Sequence, residues 1–222
     1  MVVKDCNFSV QKGEMIGLMG ESGSGKSTLA KLLIGLEKPS QGEILLDGQP
    51  YSVKKSGVRI LLVFQDSLHS VNPNFTVEQV LTEALPKDVA REEIEAILED
   101  VGLDKSFLSQ PARQLSGGQL QRICIARGLL LKPDVLIFDE ALSGLDPIVQ
   151  GRLLRLLYDL WEKYQLTYLF ISHDFKLSYA LCHRILVMAD GEIVDQIKDF
   201  ELPIQAHHPV TKKLIGDKGH FS

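Results

Sequence analysis

The chain carries Gly20-Glu21-Ser22-Gly23-Ser24-Gly25-Lys26-Ser27, a glycine-rich run that closes on a lysine and a hydroxyl residue and is followed by Thr28. Glycines at this spacing let the backbone curl until successive N–H groups face phosphate oxygens, and a helix opening at the lysine adds its positive end. Lys26 can then bridge β- and γ-phosphates, and the Ser27 hydroxyl can ligate Mg²⁺. Further along, the apolar run Val135–Phe138 ends in Asp139-Glu140. Carboxylates at the tip of a buried strand are costly to desolvate unless positive charge meets them. A magnesium nucleotide would meet them: Asp139 binds the metal, directly or through water, and Glu140 acts as general base or orients the attacking water. A third string, Leu115-Ser116-Gly117-Gly118-Gln119, is a glycine-rich turn opening a helix, hence a second anion-binding N-terminus. One nucleotide does not need two such cradles from one subunit. A head-to-tail dimer resolves this, with each γ-phosphate between the loop of one protomer and the second cradle of its partner.

These residues need strands that end where the chemistry sits. Short apolar runs at Glu14–Met19, Ile60–Phe64, Val135–Phe138, Thr167–Ile171 and Ile185–Met188 are too short for helices and rich in β-branched or aromatic residues. They alternate with helical stretches such as Lys26–Leu36, which predicts an α/β domain around a largely parallel sheet. From about Asp66 to Arg127 no strand candidate occurs, and Ile94, Ile97, Leu98 and Val101 share one helical face, with Pro86 before it and Gly102 at the helix end. That stretch, about 66–127, is expected to be a helical subdomain inserted into a core formed by 1–65 and 128–200. The tail, 201–222, is polar, with Pro203 and Pro209, and reads as a loop plus a short helix.

Composition narrows the class. At 222 residues the chain suits one domain with room for a real core. Its 24 Lys+Arg against 29 Asp+Glu give a net charge of −5, which argues against a dominant nucleic-acid surface. No apolar run reaches the ~18 residues of a membrane span, and the start lacks a signal-peptide pattern, so a soluble cytoplasmic domain is expected. Cys6, Cys124 and Cys182 are too few and too scattered for a disulfide framework or zinc cluster. Cys124 and Trp161 are expected simply to pack, and the acidic face of 91–100 to be solvated. His207-His208 is read as exposed, because no third ligand lies nearby in sequence.

Together these strings resemble the ATP-binding cassette family over nearly the whole chain. The resemblance rests on the phosphate loop, Leu115–Gln119, the strand ending in Asp139-Glu140, Ser143-Gly144-Leu145-Asp146 as the D-loop, Gln65 as the Q-loop glutamine and His173 as the switch histidine. It implies a P-loop NTPase core, an inserted α-helical subdomain and a partial antiparallel β subdomain at the N-terminus. It also implies ATP and Mg²⁺ as cofactors. Gly20 to Thr28 bind the nucleotide, Ser27, Gln65 and Asp139 face the metal, and Glu140, His173 and Gln65 serve catalysis. Ser116, Gly117, Gly118 and Gln119 act in trans on the partner's nucleotide.

The branch is suggested by Gln65-Asp66 with Asn72-Pro73, and by His208-Pro209-Val210-Thr211 near the end, which resemble the dipeptide, oligopeptide and nickel importers. The helix after Ser116, with Ile123-Cys124-Ile125-Ala126-Arg127, is similar to the nickel-type second ATPase subunit. This implies a peripheral subunit on the cytoplasmic membrane face that energises uptake of nickel, a metal chelate or short peptides. Its implied partners are a homologous second cassette in a heterodimer, two permease subunits and an extracytoplasmic solute-binding protein, with no nucleic acid. A non-transport cassette ATPase, for DNA repair, chromosome structure or translation, is the alternative. Two departures are visible. Ala141 stands where this branch often has Pro. Val2–Val10 resembles the strand that follows the family's adenine-stacking aromatic, so Phe8 is not assigned that role and the aromatic is expected to precede Met1.

Overall fold

The computed structural model describes residues 2–57, 59–64, 71–85, 89–140, 142, 146–198, 200 and 204–216. Gln65, Pro86, Ala141, Ser143, Gly144 and Leu145 lie outside the described residues, as does the first part of the expected Q-loop region.

Six strands form the central sheet: β1 (Met15–Met19), β4 (Ile60–Phe64), β5 (Val135–Asp139), β6 (Thr167–Ile171), β7 (Arg184–Ala189) and β8 (Glu192–Ile197). Their order is β4-β5-β6-β1-β7-β8. Every neighbouring pair is parallel except β7–β8, which is antiparallel with a register shift at Val187/Met188. All five strands expected from the sequence are present. They are continuous apolar runs because helices cover both faces of a parallel sheet; Met15–Met19 and Thr167–Ile171 are buried throughout.

The parallel strands are joined by α1 (Lys26–Leu33), α5 (Gly117–Leu130), α6 (Pro147–Tyr164) and α7 (Phe175–Leu181). Helix α1 ends three residues earlier than the apolar pattern predicts, at a turn where Gly35 has φ +75°. Between β4 and β5 no strand occurs among the described residues. That span holds α3 (Val77–Thr82), α4 (Arg91–Asp100) and two 3-10 turns ahead of α5. On α4 the predicted face is inside, with Ile94 and Ile97 at 5% exposure and Leu98 and Val101 at zero. Gly102 closes it at φ +72°.

The acidic face of α4 is less solvated than expected. Asp100 accepts from Lys163 at 2.6 Å and from the Tyr164 hydroxyl, and Lys132 meets Glu93 at 2.7 Å, so two of these acids tie α4 to α6 and to the turn after α5. Cys124 is buried in α5 as expected. Trp161 is half-buried and also donates from Nε1 to the Gly13 carbonyl at 2.8 Å.

The N-terminal reading needs correction. Residues 2–10 are not a strand: Asp5 sits at φ +41° and the Asn7 side chain donates to the Asp5 carbonyl, a local turn that breaks extended pairing. Phe8 still packs on the core. The antiparallel part consists instead of the β7–β8 pair and a small hairpin, β2 (Leu45–Leu46) with β3 (Gln49–Pro50). Its Asp47-Gly48 tip, at φ +53° and +72°, has the twist that suits a two-residue hairpin. A four-residue helix α2 (Val53–Ser56) follows.

Under the loops at the carboxyl ends of β5 and β6 lies an aromatic cluster. Phe138 stacks on Phe170, with centroids 5.0 Å apart, and meets Tyr168 edge-on at 5.2 Å. Tyr168 is fully buried and donates to the Leu157 carbonyl at 3.1 Å, tying α6 to the sheet. Phe138 pairs with Phe170 in register, so Asp139 pairs with Ile171 and the residues just beyond are delivered side by side.

Candidate functional site

The phosphate loop leaves β1 and enters α1. Gly20 has φ +157°, and a Cβ there would run into the Met188 carbonyl oxygen and approach Ser24 Oγ to 2.7 Å. The loop is thus pressed against β7, and the Gly191 amide donates to the Ser24 carbonyl at 2.9 Å to hold it there. Gly25, at φ 109°, is the residue before the helix. Gly23 has φ +84° with nothing within 4 Å of a Cβ, so its conformation opens backbone toward free space.

Lys26 is 8% exposed, and its ammonium donates to the Gly20 carbonyl at 2.8 Å, the Glu21 carbonyl at 2.9 Å and Ser24 Oγ at 3.4 Å. Burial holds its pKa below the usual lysine value, while Glu140 and Asp139 act in the opposite sense. Asp139 is displaced upward, first by burial and then by the charge of Glu140, with a Ser27 hydrogen bond and Lys26 opposing. Two adjacent carboxyl groups, one facing a serine hydroxyl, are a hard-oxygen donor set whose mutual repulsion a divalent cation relieves. Ser27 and Asp139 therefore fit a nucleotide-borne Mg²⁺. Among the described residues no three His, Cys, Asp or Glu side chains gather as a self-sufficient metal centre.

Glu140 adopts φ +50°, a left-handed conformation uncommon for glutamate, while its amide donates to the Ile171 carbonyl at 2.9 Å. The turn brings the side chain toward the segment that follows β6. There Glu140 Oε1 stands 3.4 Å from His173 Nδ1. A cavity of about 300 Å³ is lined by Gly20, Ser22, Gly23, Gly25, Lys26, Ser27, Thr28, Glu140 and His173, and also by Val2. Three loops at the carboxyl ends of parallel strands thus converge on one space, the usual location for ligands in open α/β sheets.

Ser116–Gln119 do not join that cavity. Ser116 caps α5 by accepting from the Gln119 amide at 3.3 Å, while Gln119 Oε1 accepts from the Ser116 amide at 2.8 Å. Gly117 and Gly118 are exposed, and a Cβ on either would meet nothing within 4 Å. Asp146 likewise stays apart from the cavity, capping α6 by accepting from the Ile148 amide at 2.9 Å.

Several contacts were not legible from the motifs. Val2, the Met188 carbonyl and Gly191 press on the phosphate loop from segments with no motif of their own. The C-terminal string also acquires a physical role. Helix α8 (Pro209–Ile215) starts at His208, whose Nδ1 accepts from the Val210 amide at 3.3 Å, so this histidine serves as a helix cap. Thr211 is fully buried and donates to Asp195, which also accepts from the amides of His208 at 2.8 Å and His207 at 3.2 Å. An acid in strand β8 therefore anchors the tail helix, a pairing that a residue-by-residue reading cannot see.

A parallel α/β sheet with a glycine-rich loop between β1 and α1, and an acidic strand end facing that loop, defines a P-loop nucleotide-binding protein. Within that class, residues 3–143 match the family described as ABC transporter, and the chain belongs to this family of ATP-binding, ATP-hydrolysing subunits. It is 42% identical over 233 aligned positions to the nickel import ATP-binding protein NikE of Escherichia coli O6, spanning 100% of this chain and 81% of the relative. It is 38% identical to the metal-staphylopine import system ATP-binding protein CntF of Staphylococcus aureus, spanning 96% and 88%. Among solved structures it resembles cbiO1 of Clostridium perfringens, part of the ABC transporter complex cbiONQ, with TM-score 0.79 and 29% identity over 88% of this chain and 81% of that one. A dimeric ATP-binding cassette in a post-hydrolysis state, bound to ADP and Pi, aligns with TM-score 0.72 and 27% identity over 89% and 90%. No described helix is long and apolar enough to cross a membrane.

Proposed function

We propose that this chain is the ATP-hydrolysing subunit of an importer for nickel or a metal chelate, with short peptides as the second reading. The observation that carries its catalytic part is the convergence of Lys26, Ser27, Glu140 and His173 on one cavity, with Asp139 beside Ser27. The names of the metal-import relatives favour a metal over a peptide.

In this reading the amides of Gly20 to Thr28 and the Lys26 ammonium hold the triphosphate. Ser27 and Asp139, with Gln65, hold Mg²⁺, which when bound neutralises charge developing on the phosphates. Glu140 accepts a proton from the attacking water or orients it, and His173 holds the γ-phosphate side of the site. Closing the site strengthens each of these charge–dipole contacts by excluding water. Ser116 to Gln119 complete the site of a second cassette head-to-tail, with Asp146 at the seam, so that hydrolysis releases the two halves. The helical span 66–127, set into the core of 1–65 and 128–200, faces two permease subunits at the cytoplasmic side of the membrane. A homologous second cassette and a solute-binding protein complete the assembly, and α8 in the tail flanks the nucleotide loop through Lys213.

Uptake decides it. Cells expressing this chain with its permeases should accumulate radioactive nickel in an ATP-dependent way, and Glu140→Gln should reduce uptake at least ~100-fold, as expected for loss of a general base. Labelled dipeptide uptake with no nickel uptake would move the assignment to the second reading. Nickel uptake that survives Glu140→Gln would sink the catalytic reading.

A further inference from the structure

Helix α8 brings a cation to the rim of the nucleotide cavity. Asp195 fixes the start of the helix through Thr211 and the amides of His207 and His208, and Val210, Leu214 and Ile215 pack on the core. Two residues beyond Thr211, the Lys213 ammonium reaches Glu21 Oε1 at 2.5 Å. Glu21 is the second residue of the phosphate loop and lies between Gly20 and Ser22, both of which line the cavity. Consecutive Cα atoms are about 3.8 Å apart, so the Glu21 charge lies within a Debye length of anything held there.

A carboxylate in that position opposes a polyanionic ligand. The hydrogen bond and charge of Lys213 hold the Glu21 carboxyl below the usual glutamate range, so it is ionised at neutral pH. Both side chains are well exposed, at 76% and 47%, and such a pair contributes little to stability. Its consequence falls on the site instead: the Glu21–Lys213 pair contributes a net charge of zero, and Glu21 without Lys213 contributes −1.

We propose that Lys213 is an electrostatic positioning residue of the nucleotide site, contributed by the C-terminal helix. It neutralises Glu21 at the mouth of the phosphate cradle and so sets the affinity for nucleoside triphosphate. The inference rests on the nucleotide-binding reading of the loop. A unit charge acting on a multiply charged ligand at roughly 10 Å in water, partly screened, changes affinity about 2- to 4-fold.

The test is a charge ladder read by Mg·ATP titration of the full chain at low ionic strength. Relative to the parent chain, Lys213→Ala makes the pair −1 and should weaken binding about 2- to 4-fold, while Glu21→Gln makes it +1 and should tighten binding by a similar factor. The double variant, neutral again, should return to within about 1.5-fold of the parent, as should Lys213→Arg. The ladder should be steeper for ATP than for ADP, and at ~0.5 M salt it should collapse. If Glu21→Gln and Lys213→Ala weaken binding alike, the pair is a structural brace and the proposal is overturned. A flat ladder at low salt in a chain that binds Mg·ATP overturns it too, and leaves the nucleotide reading intact. Failure of the parent chain to bind Mg·ATP overturns both.

Discussion

Gly118 offers a test in which stability and activity should move in opposite directions. It is the second residue of α5, whose start is already secured by the reciprocal hydrogen bonds of Ser116 and Gln119. Its φ is not left-handed, and a Cβ placed on it meets nothing within 4 Å. The folded chain therefore has no steric or conformational need for glycine here. Glycine in a helix interior costs about 0.8–1 kcal/mol relative to alanine, and somewhat less in the first turn. Gly118→Ala should thus stabilise the protein by roughly 0.3–1 kcal/mol, a rise in Tm of about 1–3 °C for a chain of this size. The added methyl would stand on an exposed helix start, on the surface proposed to close over the partner's γ-phosphate. ATPase activity of the assembled dimer should then fall at least ~10-fold, equivalent to about 1.4 kcal/mol in the transition state. Calorimetry and steady-state ATPase on the same preparation suffice. A Tm lowered by more than ~2 °C would show that the fold itself requires the glycine. ATPase above half the parent value would show that nothing approaches this face closely.

Two further outcomes follow from the geometry. Gly20→Ala must displace either the loop or the Met188 backbone, whereas Gly23→Ala meets only conformational strain, so the first should lower the urea-derived stability by ~3 kcal/mol or more and the second by about 1–2. Equal losses would contradict the close approach to β7. Burial raises the Asp195 carboxyl, but the Thr211 hydroxyl and the amides of His208 and His207 outweigh it, so its folded pKa lies below the ordinary aspartate value. A depressed acid stabilises the folded state above its unfolded pKa, ~3.9, and that contribution is lost as pH falls through the folded value. Asp195→Asn should accordingly speed amide exchange in 209–215 at neutral pH by about 5- to 30-fold while leaving β1 protected, given ~1–2 kcal/mol for charge-assisted bonds. Unchanged exchange would show that apolar packing alone holds α8.

Much of this architecture was written in local pattern. The five parallel strands are short and have continuous apolar centres, so each is legible without reference to the others. The phosphate loop and the Asp139-Glu140 strand end were legible because their chemistry requires particular residue types in consecutive positions. Strand β8 was missed because Glu192–Ile197 is a half-exposed edge whose partner, β7, decides its state. The hairpin at Asp47-Gly48 carries a turn signal, but strands of two residues leave no alternation to read. Residues 2–10 depart in the other direction: their resemblance to a strand of the family implies an extended segment, and a turn at Asp5 prevents it. The contacts that support the loop, from Met188, Gly191 and Lys213, join residues more than 160 positions apart. No spacing rule reaches that far.

In the proposed function Glu140, held by its turn beside His173, drives hydrolysis in a site that binds ATP without it. Single-turnover hydrolysis of Mg·ATP by Glu140→Gln, measured with nucleotide affinity on the same sample, tests that most directly. ATP affinity within about 2-fold of the parent and a hydrolysis rate at least ~100-fold lower is the predicted result. A rate within a few-fold of the parent, at equal affinity, would show that Glu140 is not the group that activates water.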